Sequence, residues 1–158
     1  MQNPKESFPQ LNLPAADLRL LTEAATMRPV VFDPLRRKIV ALTPEEWVRQ
    51  HFVNYLAEKL GYPRSLMANE VALTLNSTDR RADTVVYDRK ARPLMIVEYK
   101  APDIPITEKV FEQAVRYNIT LRARYLTLSN GMQHVCCRLA DGDRPACFLP
   151  SIPPYDEL

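Results

Sequence analysis

Two acids and an amine, Asp83, Glu98 and Lys100, interrupt apolar runs that otherwise read as buried strands. The first run is Arg80-Arg81-Ala82-Asp83-Thr84-Val85-Val86-Tyr87, and the second is Leu94-Met95-Ile96-Val97-Glu98-Tyr99-Lys100. A charge leaving water costs several kcal/mol unless it is paired or bound to a metal. A divalent cation would offset that cost and also do chemistry. The other explanation is structural: an Asp83–Lys100 ion pair, or Glu98 balancing Lys100 at a strand end.

The polar stretch Asp88 to Pro93 between the runs predicts a hairpin. If Tyr87 faces Leu94, antiparallel pairing sets Val85 opposite Ile96 and Asp83 opposite Glu98. Side chains alternate with period two, so these residues share one sheet face with Lys100, while Tyr99 points the other way. Opposed Cβ atoms lie roughly 4.5–5.5 Å apart, and two carboxylates that close repel unless a cation stands between them.

The elements that must position this group can be read from the rest of the chain. Its 158 residues suit one domain with a sizeable core. A hydrophobic content of 46% and a charged content of 25% are those of an ordinary soluble globular protein, here expected in the cytoplasm. No apolar run approaches the ~20 residues that span a bilayer, so no membrane partner is expected. A net charge of +2 carries little weight for a polyanionic partner. Cys136, Cys137 and Cys147 are odd in number and stand apart from His51 and His134, which argues against a disulfide framework and a zinc site. All five are expected to be buried structural residues.

Residues 1–32 read as an arm with an accessory strand, 33–149 as one domain, and 150–158 as a surface tail. Val30-Val31-Phe32 and Lys38 to Leu42 look like short strands. Thr43-Pro44-Glu45-Glu46 opens a helix: Thr43 suits the N-cap, Pro44 the first turn, and Glu46 completes a capping box. Gly61 and Pro63 end it. Leu66 to Leu75 is a strand candidate, Thr107 to about Leu121 a second helix, and Tyr125–Ser129 and His134–Leu139 two further strands around Asn130-Gly131. The core order α-β-β-β-α-β-β predicts an α/β fold, a central mixed β-sheet flanked by helices.

That order, with Asp83 and Glu98-Tyr99-Lys100, resembles the PD-(D/E)xK nuclease superfamily, a restriction-endonuclease-like fold. More narrowly, the chain looks like the N-terminal nuclease domain of type I restriction enzyme R subunits. The strings that carry the likeness are Thr43-Pro44-Glu45-Glu46-Trp47-Val48-Arg49-Gln50, Arg81 to Tyr87, Glu98-Tyr99-Lys100-Ala101-Pro102, Gln113 with Tyr117, and Leu128-Ser129-Asn130-Gly131. The resemblance implies an endonuclease dependent on Mg²⁺ or Mn²⁺. Asp83 and Glu98 would hold the metal, with the Tyr99 carbonyl as a third ligand and Lys100 beside the reacting water. It also implies DNA as partner and a separate motor or specificity protein, since no Walker A glycine loop occurs and the chain is expected to stop after the nuclease-like unit. A homodimer would suit double-strand cutting.

Several assignments stay open on sequence. Glu46 is explained by its capping box, yet the superfamily often sets an acid from the first helix beside the metal. Glu70 is a weaker candidate, accounted for by an exposed sheet position. Gln113 and Tyr117 are four apart and share a helix face; they either contact DNA or form a buried polar pair. Arg116 on that helix and Arg81 in the Arg80-Arg81 pair are candidate phosphate contacts, although charge runs are usually solvated. Two other functions fit: a non-catalytic module that binds DNA or a partner on a nuclease fold, and an interaction protein that binds no nucleic acid.

Overall fold

The computed structural model describes residues 4–75, 77–118 and 120–158, the side chains of residues 4, 5, 75 and 117 excepted. A small antiparallel sheet comes first, in the order β1 (Leu20–Thr22), β2 (Pro29–Asp33) and β3 (Lys38–Ala41). The β2–β3 turn is fixed by Asp33, whose carboxylate accepts from the Leu35 amide at 2.8 Å. A domain boundary after residue 32 would fall inside β2, whose residues pair with β3 up to Asp33 and Lys38. Val31 of β2 and Leu42 after β3 are buried in one cluster with Phe52 and Leu56.

Helix α1 (Pro44–Leu60) starts where the sequence predicts. Thr43 Oγ1 accepts from the Glu46 amide at 3.0 Å, and Gly61 closes the helix at φ 72°. Only half of the expected capping box forms, because the Glu46 carboxylate turns to Arg36 instead.

The central sheet holds six strands in the order β4 (Met67–Leu75), β5 (Thr78–Tyr87), β6 (Pro93–Tyr99), β7 (Tyr125–Ser129), β8 (His134–Arg138) and β9 (Cys147–Leu149). All neighbours are antiparallel except β6 and β7, which run parallel because α2 (Glu108–Asn118) crosses between them. This is the predicted restriction-endonuclease-like α/β arrangement with one strand added at the edge, β9. Its three residues are too short to announce themselves by periodicity.

Alternation along the strands splits the core into two layers. Phe52 and Leu56 of α1 pack with Val86, Met95, Val97 and Tyr99, whereas Ala114 of α2 packs with Val85, Ile96, Leu126 and Leu128. The Val85–Ile96 pairing is the one expected, but the ladder shifts at the hairpin end, where Tyr87 pairs with Pro93 rather than Leu94.

Two expectations need correction. Cys147 is exposed, unlike the buried Cys136 and Cys137, and all three thiols are free. The C-terminal segment is anchored rather than lying along the surface: Ile152 and Tyr155 are buried, Tyr155 Oη donates to the Tyr87 carbonyl at 2.9 Å, and Tyr62 Oη donates to the Pro153 carbonyl at 2.8 Å. Prolines stiffen this stretch and aromatic burial holds it. Tyr155→Ala should therefore cost about 3 kcal/mol, read as a lower urea midpoint with an unchanged slope.

Candidate active site

The middle of β5 and the end of β6 bring the three predicted residues together. Asp83 accepts from the Tyr99 amide at 2.9 Å, which ties the two strands at the site. Glu98 lies beside Asp83 and within reach of the Lys100 charge. Burial first, then the neighbouring Asp83 charge, pushes the Glu98 carboxyl up to about 9. Glu98 thus favours its protonated form at neutral pH.

Glu98 opens onto a cleft of ≈ 300 Å³ whose walls include Arg80, Arg81, Ala82, Ile96 and Thr120. Arg81 is thus brought to the site, on an exposed side chain 3.9 Å from Glu70. Gln113 and Arg116 are not brought to it. Both are exposed on α2, along a separate shallow groove with Glu108 and Lys109, so Gln113 is not half of a buried pair. The Tyr117 side chain lies outside the described residues. Tyr99 points its ring into the core, 5.8 Å from Phe52, with its hydroxyl on Thr84 Oγ1 at 2.9 Å.

Sequence reasoning missed the residue that organises this corner. Arg49, one helical turn beyond Glu46, is 3% exposed. Its guanidinium donates to Glu70 at 2.7 Å and lies 3.5 Å from Asp83 Oδ1 and 3.6 Å from Glu46. It also stands over the Tyr99 ring, 5.7 Å from the centroid. Burial works against its charge, but Glu46, Asp83 and the Glu70 hydrogen bond outweigh that and raise its pKa above the ordinary arginine value. Three acids spaced along the chain around one arginine were the available signal, but only the fold makes them neighbours.

Glu46 is a partner of cations rather than a direct neighbour of the acidic pair. It accepts from Arg36 at 2.7 Å and from Gln50 at 2.8 Å, and it reaches Asp83 through Arg49. The preceding residue, Glu45, is the helix acid that feels the site. Burial and then the Asp83 charge raise its pKa, against Arg49 and Lys100. Glu70 is not a plain exposed sheet position. It and Asp83 drop out of the β4–β5 ladder, whose register is the same on either side, and its φ of 56° accompanies a carboxylate turned to Arg49.

The sequence profile of the type I restriction enzyme R protein N terminus (HSDR_N) matches residues 44–153. The chain belongs to this family. The match spans α1, the whole six-stranded sheet and the first residues of the anchored C-terminal segment, so Asp83, Glu98 and Lys100 lie within the shared unit. A comparison with curated proteins gives no match. No helix among the described residues is long and apolar enough to cross a membrane.

Among the described residues no three His, Cys, Asp or Glu side chains are grouped to chelate a metal. Two hard carboxylate donors are nevertheless the kind of set that Mg²⁺ takes, since it keeps waters and uses one or two carboxylates with substrate phosphates. The residues fit such an ion.

The pH dependence of the metal-free protein follows from Glu98. A carboxyl that stays protonated in the fold and ionises in the unfolded chain lowers stability as pH rises, from the ordinary 4.5 to about 9. Glu98→Gln should flatten that decline and raise the thermal midpoint at the alkaline end by several degrees, measured in EDTA across the window.

Proposed function

We propose that this chain is a DNA endonuclease domain that hydrolyses phosphodiester bonds with Mg²⁺ or Mn²⁺. The observation that supports this most strongly is the convergence of the Asp83 and Glu98 carboxyls and the Lys100 ammonium at one corner of the sheet. Asp83, Glu98 and the Tyr99 carbonyl would hold the ion. When bound, it would neutralise a phosphate and lower the pKa of water.

The remaining work falls to the chain. Lys100, on the residue that leaves β6, would donate to a phosphoryl oxygen as its charge grows. Its own backbone is held, since the Lys100 amide donates to the Ser129 carbonyl at 2.9 Å. Asp83 stays oriented because one oxygen accepts from the Tyr99 amide while the other faces Arg49. Arg81 on the cleft wall would bind a flanking phosphate without reading bases. Glu46 would act through Arg49, as a positioning residue. Gln113 and Arg116 would meet DNA away from the cleft.

The family supports a restriction-nuclease context, and we infer from it DNA and a separate motor or specificity protein as partners, acting in the cytoplasm. A second copy of the chain would supply the other cut of a duplex. One observation favours a non-catalytic DNA-binding module instead: Arg49 already faces Asp83 as a counter-cation.

Nicking of supercoiled plasmid separates the two readings. The wild type should nick with Mn²⁺ or Mg²⁺ and not in EDTA, and Lys100→Ala should lower the rate by about 10²-fold or more. Asp83→Asn should abolish nicking. If the wild type never cuts, yet binds DNA in a salt-dependent way that survives both substitutions, the nuclease reading fails and the binding module stands.

A further inference from the structure

Beyond the acidic corner, a trough of ≈ 560 Å³ runs between α2 and the β8–β9 edge of the sheet. That volume is within the roughly 300–1,000 Å³ of small-ligand sites. Its wall is apolar, with Phe111 and Val115 from α2, Leu139 beyond β8 and Phe148 from β9. Phe148 is 62% exposed, its ring 5.0 Å from that of Phe111 and tilted by 48°.

Polar groups surround this apolar floor. Asn118 lines the trough at 2% exposure, and neither its amide nitrogen nor its oxygen has a hydrogen-bond partner. Arg122 and Arg124 stand exposed at the rim, outside the ion pairs formed among the described residues. The same two arginines line an adjoining groove of ≈ 450 Å³ with Arg92, Asp88 and Asp141. Asp88 is held there by Arg92 at 2.9 Å, which leaves Asp141 as the acid set against the two arginines. The trough thus opens from an aromatic floor onto a cationic shelf.

We propose that this trough seats an unpaired nucleotide of a single-stranded nucleic acid, with the base against Phe148 and the backbone phosphate at Arg122 and Arg124. Any base offers a π-face to an aromatic ring, and a basic track beside it holds the strand. The unpartnered Asn118 amide carries both a donor and an acceptor, and so does a base edge. An apolar peptide would use the rings and leave two arginines facing one acid, Asp141, whereas a nucleotide uses both the rings and the excess positive charge. The proposal rests on the nucleic-acid reading above and narrows it to substrates with unpaired bases near the cut, such as flaps or unwound strands.

Fluorescence anisotropy of the full chain in EDTA tests it, because no cutting occurs there and the plasmid assay decides nuclease activity independently. The probes are a short labelled oligothymidylate, an abasic strand of the same length and a duplex. Phe148→Ala should weaken oligothymidylate binding about tenfold while leaving abasic-strand and duplex affinity and the unfolding midpoint unchanged. Arg122→Gln with Arg124→Gln should weaken both single strands and flatten the salt dependence. The proposal is overturned if Phe148→Ala leaves oligothymidylate binding intact or weakens the abasic strand equally, and a protein segment then becomes the better occupant of the trough.

Discussion

The buried guanidinium of Arg49 is the interaction on which the candidate site depends. It joins α1 to β4 and β5 through Glu46, Glu70 and Asp83, acids from three separate elements. A charge at 3% exposure is tolerable only when its partners surround it. The reverse holds too: without Arg49 the Glu46, Glu70 and Asp83 carboxylates would lose the counter-charge they share. The acids and the arginine are mutually required, so the site and the helix–sheet packing form one electrostatic unit.

That unit extends back to the first sheet. Asp33, fully buried, pairs with Arg36 and accepts from Asn69 at 3.0 Å. Asn69 in turn accepts from Thr84 Oγ1 at 2.6 Å, and Thr84 meets the Tyr99 hydroxyl. Arg36 meanwhile reaches Glu46. Two polar routes therefore run from the β2–β3 turn to the residues beside Asp83, one through α1 and one through β4 and β5. Arginine suits such a role because its planar fork serves several acceptors at once.

Much of this was legible in the sequence. Helix α1 was fixed by Thr43, Pro44 and Gly61, which act locally. The β5–β6 hairpin and the Asp83–Glu98–Lys100 group followed from period-two alternation around a polar break. What escaped was non-local. The left-handed backbone at Glu70 depends on its contact with Arg49, so its sequence reads as an ordinary exposed strand position. Glu45 and Glu46 are adjacent acids, and only the angle at which α1 crosses the sheet decides which one feels Asp83. Short β9 and the docking of Tyr155 depend on tertiary contacts that no local pattern encodes.

The kink at Glu70 has an effect beyond the corner it serves. Strand β4 is the outermost strand of the six-stranded sheet. An open edge of nine residues would offer a regular row of backbone donors and acceptors to any passing chain. One residue turned to φ 56° near its start breaks that row. The feature that delivers a carboxylate to Arg49 thereby also guards the protein against edge-to-edge self-association.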